Sequence, residues 1–123
     1  MLRRQLLPLA VLVAVLVSVA SGYAATLSST KLLGVSGPGF TIVLKTSAGK
    51  AVKNLKTGKY SITVEDKSSI HNFHLFGPGV NKTTSVPFTG TQTWTVTLKP
   101  GTYTFQCDVH AASGMKGVFK VTK

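Results

Sequence analysis

The sequence contains few carboxylates and a single cysteine. Its 123 residues include three Asp and Glu in total, one Cys and one Trp, against 14 Lys and Arg. A chain of this length forms one domain, which is too small for an α/β-hydrolase, a protein kinase or a TIM barrel. Glu65 and Asp66 are neighbours and would point to opposite faces of a strand, which argues against a glycosidase site with paired carboxylates. The lone Cys107 cannot form a disulfide within the chain.

Arginine is absent after Arg4. Without the first 24 residues, 12 lysines remain against three carboxylates, which gives a net charge of +9. Arginine provides most bidentate contacts to bases and phosphates, and the lysines here are scattered, so we expect no nucleic-acid partner. The positive charge has two interpretations that composition does not separate: a soluble surface, or steering toward acidic partners or an anionic membrane face.

The N-terminal segment has the pattern of a secretory signal. Arg3 and Arg4 precede a mostly apolar run over residues 6–20, and small residues follow. This order predicts a signal peptide over residues 1–24 and a mature domain over residues 25–123, in the periplasm or outside the cell. A spanning helix needs about 20 apolar residues, so we expect no stable membrane span after cleavage; retention of the segment as an anchor is the alternative.

Apolar and polar residues alternate with period two along the rest of the chain, as in half-buried strands. The alternation is clearest over residues 60–65, 93–98 and 102–107. Six to eight short strands separated by Gly and Pro turns predict an all-β fold, an antiparallel sandwich or small barrel. The other predicted strands are residues 31–33, 40–45, 70–75 and 117–121. The aromatic residues expected in the core are Tyr60, Trp94, Tyr103, Phe105 and Phe119.

The residues most typical of a functional site lie near the C-terminus, in the segment CDVHAASGM. Cys107, His110 and Met115 offer a thiolate, an imidazole and a thioether, a ligand set suited to copper. The alternative is that Cys107 is an ordinary buried side chain, or pairs with a second chain. A trigonal copper site needs a second imidazole, and the spacing of His71 and His74 does not decide between them, since on a strand they face opposite ways.

Two separated motifs resemble the cupredoxins, above all the plastocyanin and azurin branch. They are GTYTFQCDVHAASGMKGVFKV at the C-terminus and His71-Asn72 within IHNFHL. The resemblance implies a Greek-key β-sandwich that holds one type 1 copper ion cycling between Cu(I) and Cu(II). It implies that His71, Cys107 and His110 are the strong ligands and Met115 the weak axial ligand. Asn72 is then expected to hydrogen-bond the segment around Cys107, and His71 is favoured over His74 because it precedes Asn.

The resemblance implies an exported blue-copper protein that carries single electrons, which is an electron carrier and not an enzyme. We expect a monomer whose redox partner is a protein, acidic in character. Copper storage or delivery with the same ligands is one alternative, and an accessory subunit of a copper enzyme, with His74 in a second metal site, is another. Residues 76–79 are expected either to form an apolar rim for the partner or to be an ordinary turn.

Overall fold

The computed structural model describes residues 18–22 and 28–123. The predicted signal peptide, residues 1–24, lies mostly outside the described residues. Within the described ranges, no helix is long and apolar enough to cross a membrane.

In the part of the chain that the structure describes, the fold consists of nine strands and one 3₁₀ turn. The strands are β1 (Thr30–Ser36), β2 (Ile42–Thr46), β3 (Asn54–Lys56), β4 (Gly58–Asp66), β5 (His74–Gly77), β6 (Val80–Thr83), β7 (Gly90–Leu98), β8 (Gly101–Gln106) and β9 (Lys116–Thr122). The 3₁₀ turn, Ala111–Ser113, lies between β8 and β9. One sheet has the strand order β2-β1-β4-β7, and the other has the order β3-β9-β8-β5-β6.

The predicted all-β sandwich is confirmed, but its sheets are mixed. β1 pairs in parallel with β4, and β3 pairs in parallel with β9, whereas the other named pairs are antiparallel. Period-two alternation did not distinguish the two cases, because successive side chains point to opposite faces in both kinds of strand. The short strands β3 and β6 were not predicted.

Apolar side chains from both sheets fill the space between them. The expected core aromatics Tyr60, Trp94, Tyr103, Phe105 and Phe119 are all buried, which confirms that part of the prediction. Two pairs of rings stack nearly parallel across neighbouring positions: Tyr103 on Phe119, and Phe105 on Phe73. These contacts place a continuous aromatic layer beneath the end of β8, where the CDVHAASGM segment begins.

The chain crosses from one sheet to the other between β4 and β5. A strand was predicted over residues 70–75, but β5 begins only at His74. Residues 71–73 are buried and belong to neither sheet. We call residues 67–73 the crossing segment; it carries His71 and Asn72 into the interior at the end of the sandwich where β8 finishes.

The crossing segment packs against β1 so closely that one position admits only glycine. A Cβ atom on Gly34 would lie 2.7 Å from Cζ of Phe73, whose ring is fully buried. Overpacking of this kind typically costs about 1–3 kcal/mol. We therefore expect Gly34→Ala to lower the free energy of unfolding by that amount, measured by urea denaturation.

The matched control is Gly39→Ala, because no atom lies within 4 Å of a Cβ placed on Gly39. We expect this control to leave the unfolding midpoint unchanged or slightly raised. Equal midpoints for the two variants would contradict the packing described here.

Candidate metal centre

A short loop after β8 carries three of the four residues expected to bind copper. Backbone hydrogen bonds close it: the amide of Cys107 donates to the carbonyl of Met115 at 3.0 Å, and the amide of Met115 donates to the carbonyl of His110 at 3.2 Å. The amide of His110 in turn donates to the carbonyl of Cys107 at 3.1 Å. Cys107 and Met115 are buried, whereas His110 is half-buried. We call residues 107–115 the Cys107 loop.

The crossing segment brings His71 to this loop. Its side chain is completely buried, and its amide donates to the carbonyl of Ser68 at 3.2 Å. Gly37 lies against the imidazole: with φ +73, it is in the left-handed region, and a Cβ there would be 3.2 Å from Cδ2 of His71. Glycine at position 37 therefore serves both the backbone conformation and the close approach of the ring.

Three ligand atoms face one another between the two segments. Nδ1 of His71 lies 3.0 Å from Nδ1 of His110. Sγ of Cys107 lies 3.5 Å from Nδ1 of His110 and 3.8 Å from Nδ1 of His71. Among the described residues, this is the one group of three or more His, Cys, Asp or Glu side chains that could hold a metal ion.

The size of this triangle fits a first-row transition metal. A point equidistant from the three atoms lies about 2.0 Å from each, which compares with about 2.0–2.1 Å for zinc–imidazole and about 2.3 Å for zinc–thiolate bonds. Two imidazoles and a thiolate are also the donor set of trigonal copper sites. Nε2 of His71 is buried and has no partner within the described ranges, and it carries the ring proton when Nδ1 binds a metal.

His74 points away from the triangle. Its Nδ1 lies 2.9 Å from Oδ1 of Asp108, and its Nε2 lies 2.6 Å from Oδ1 of Asn81. Both ring nitrogens are therefore engaged at the surface. The start of β5 separates the two histidines: His71 precedes the strand and faces Cys107 and His110, whereas His74 opens the strand and faces Asp108 and Asn81.

Asn72 and Asp108 tie the crossing segment to the Cys107 loop. Oδ1 of Asn72 accepts from the amide of Asp108 at 2.8 Å, and its Nδ2 donates to Oδ2 of Asp108 at 2.9 Å. Partial burial acts to raise the pKa of Asp108, but hydrogen bonds from Gln106, Asn72 and His74 outweigh it and lower the pKa below its usual value. The carboxylate thus stays ionised beside Cys107, with its charge directed toward His74.

An exposed aromatic ring, which the sequence did not point to, covers the histidines. Phe40 is 67% exposed, yet its ring meets those of His71 and His110 edge to face, with centroids 5.2 and 4.9 Å apart. Ile70 and Val109, next to the two histidines in sequence, are also exposed. We call Phe40, Ile70 and Val109 the apolar rim. A strand had been predicted from residue 40, but β2 begins at Ile42 and leaves Phe40 in the preceding loop.

The apolar rim expected at residues 76–79 is not found there. β5 runs from His74, opposite Gln106, to Phe76, opposite Thr104, and so leads away from the Cys107 loop. The carbonyl of Pro78 accepts from the hydroxyl of Tyr103, which also hydrogen-bonds to Lys99 at the turn between β7 and β8. Residues 76–79 therefore form an ordinary turn, which was the alternative interpretation. The turn lies at the end of the sheet opposite the Cys107 loop.

Comparison with known proteins agrees with this geometry. Residues 35–122 match the family model of copper binding proteins of the plastocyanin/azurin family. Among solved structures, dithionite-reduced auracyanin from Roseiflexus castenholzii is similar with a TM-score of 0.55 and 24% identity, over 78% of this chain and 99% of that one. Reduced rusticyanin is similar with a TM-score of 0.56 and 20% identity, over 75% and 78% of the two chains. No curated protein sequence matches this chain.

At such identities the solved structures show a shared fold, whereas the family match covers most of the chain, including both segments that meet at the metal centre. The buried cluster of His71, Cys107 and His110 suits a single type 1 copper ion. The chain therefore belongs to the copper-binding plastocyanin/azurin family and is a cupredoxin.

Proposed function

We propose that this protein is an exported carrier of single electrons and not an enzyme. The observation that carries the proposal is the convergence of Nδ1 of His71, Nδ1 of His110 and Sγ of Cys107 on one buried point. Catalytic metal sites keep a position open for water or substrate, whereas two of these three side chains are fully buried. Bound copper would supply a one-electron couple, and the protein would hold it away from reagents.

We assign His71, Cys107 and His110 as the residues that would bind copper strongly, and Met115 as the weak fourth ligand. The first three assignments are supported by the distances among their ligand atoms. The fourth is supported by the burial of Met115 and by the two backbone hydrogen bonds that join it to Cys107 and His110. A thioether beside a thiolate and two imidazoles is the ligand set of blue-copper electron-transfer sites.

The exit for the electron is proposed at His110. It is the half-buried member of the cluster, and the apolar rim of Phe40, Ile70 and Val109 lies beside it. A small apolar surface suits transient redox encounters, which bury less area than stable complexes do. A monomer that docks its partner through this rim is the arrangement we propose.

The charge distribution supports an acidic partner. The three carboxylates of the mature chain are engaged: Glu65 pairs with Lys67 at 3.4 Å, Asp66 is buried, and Asp108 contacts His74. Twelve lysines therefore dominate the outer field, which attracts anionic partners and raises their rate of encounter at low salt. Lys116 begins β9 directly after the Cys107 loop and is exposed.

Copper storage or delivery remains the second candidate function, because it would use the same four side chains. Slow electron self-exchange together with ready transfer of copper to an acceptor would favour it. An enzymatic accessory role through a second metal at His74 has less support, since both ring nitrogens of His74 are already hydrogen-bonded.

Spectroscopy of the copper-loaded protein tests the ligand assignment. We expect an intense visible band from thiolate-to-Cu(II) charge transfer, because Sγ of Cys107 lies within the cluster. Cys107→Ser removes the thiolate and should abolish the band, whereas the control His74→Ala should keep it. A colourless, spin-free protein at full loading would contradict the proposal and indicate zinc or Cu(I) carriage.

Salt dependence tests the proposed steering. We expect the rate of reaction with the anionic oxidant hexacyanoferrate(III) to fall as ionic strength rises from 0.01 to 0.1 M, over which the Debye length shortens from about 30 to about 10 Å. Stopped-flow kinetics would measure it. Lys116→Gln should slow the reaction more than Lys59→Gln, which removes the same charge at the start of β4, opposite Thr97 on β7. Equal effects would contradict steering toward the metal end.

The proposal of export is based on the first 24 residues, in which a charged start, an apolar run and small residues follow one another as in a signal peptide. We expect the protein recovered from the periplasm or medium to begin at Ala25. Mass spectrometry of the intact exported chain would measure this, and a mass that includes the first 24 residues would instead indicate an uncleaved anchor.

A further inference from the structure

The buried polar side chains within the described ranges gather at one corner of the sandwich. They are Ser36, Asp66, His71, Asn72 and Thr84, and each is at most 4% exposed. His71 and Asn72 belong to the metal centre described above. Asp66 and Thr84 do not contribute to the metal centre as described above. The burial of the Asp66 carboxylate needs a structural reason, since burying an ion is costly unless it is hydrogen-bonded.

The reason lies in the backbone of the crossing segment. Residues 71–73 are buried outside either sheet, so no neighbouring strand satisfies their peptide groups. Thr84 provides these hydrogen bonds for Phe73. The amide of Phe73 donates to Oγ1 of Thr84 at 2.8 Å, and the amide of Thr84 donates to the carbonyl of Phe73 at 3.0 Å. Ser36 donates through its hydroxyl to the carbonyl of Asn72 at 3.0 Å.

Asp66 sets the direction of the Thr84 hydroxyl. A hydroxyl has one proton to donate, and that of Thr84 goes to Oδ2 of Asp66 at 2.6 Å. A lone pair of Oγ1 is then free to accept from the amide of Phe73. The other oxygen of Asp66 accepts from the amide of Ser68 at 3.4 Å. One carboxylate therefore holds both ends of the crossing segment, directly near its start and through Thr84 at its end.

The anchored end also faces the other half of the metal centre. Phe73 follows His71 by two positions, and Phe105 precedes Cys107 by two. The two rings stack with centroids 6.0 Å apart and planes 5° from parallel. Fixing the amide of Phe73 consequently aligns the segment that carries His71 with the strand that carries Cys107.

We propose that Asp66 and Thr84 are positioning residues for the imidazole of His71, and that through it they set the geometry of the metal centre. The inference rests on His71 being a metal ligand, as proposed above, but not on electron transfer. It assigns a role to a buried carboxylate and a threonine that lie five and thirteen positions from the ligand and do not belong to the copper motif.

The test compares Thr84→Val, which removes the hydroxyl at nearly constant shape, with Thr84→Ser, which keeps it. In the metal-free protein, Thr84→Val should accelerate hydrogen exchange of the Phe73 amide by about tenfold or more, because a buried donor loses its acceptor. In the copper form, it should shift the charge-transfer band and weaken Cu(II) binding by about 10–100-fold. Thr84→Ser should keep the wild-type amide exchange rate, band position and Cu(II) affinity. The control Thr95→Val, at an exposed position on β7, should also leave these three quantities unchanged.

A Thr84→Val protein with faster amide exchange but an unchanged band and Cu(II) affinity would overturn the proposal, since the role would then be structural alone. If this variant does not fold, Asp66→Ala provides the second arm, because it removes the oxygens that accept from the hydroxyl of Thr84 and the amide of Ser68. A shifted band in Asp66→Ala supports the proposal, and an unshifted one overturns it. A wild-type protein without the band would overturn the proposed copper site on which the inference rests, and the exchange experiment, which needs no metal, separates that case.

Discussion

The metal centre depends on bringing three electron-pair donors together at a largely buried point. Two imidazole nitrogens and a sulfur face one another at 3.0–3.8 Å, and in the absence of a cation only shared protons can relieve their mutual repulsion. The protein maintains this arrangement with ordinary means: backbone hydrogen bonds that close the Cys107 loop, and a crossing segment held between the sheets. These hydrogen bonds do not use the three donor atoms themselves.

Much of this could be predicted from the sequence because it is local. Cys107, His110 and Met115 fall within nine residues, so a single loop had to bring them together. The period-two alternation likewise identified the long strands β4, β7 and β8, whose inner faces are buried. Parallel pairing was not predictable on the same grounds, since alternation is identical in both directions.

What the sequence did not reveal depends on where strands begin and end. The different placement of His71 and His74 follows from the start of β5, and the exposure of Phe40 follows from the start of β2. Element boundaries are the least certain part of any sequence-based prediction. The prediction of an apolar rim at residues 76–79 was wrong because of the direction of β5, which places those residues at the opposite end of the sheet.

The concentration of Ser36, Asp66, His71, Asn72 and Thr84 at one corner has a consequence for how substitutions are tolerated. Elsewhere the interior is an apolar cluster, and hydrophobic residues of similar volume can replace one another there at modest cost. In the corner, the side chains of Ser36, Asp66, Asn72 and Thr84 each hydrogen-bond to a neighbouring group, so a change at one leaves that group without its partner. The protein thus has an interior of two kinds: in one the volume of a side chain matters, and in the other its chemical identity does. The second kind contains His71 of the metal centre.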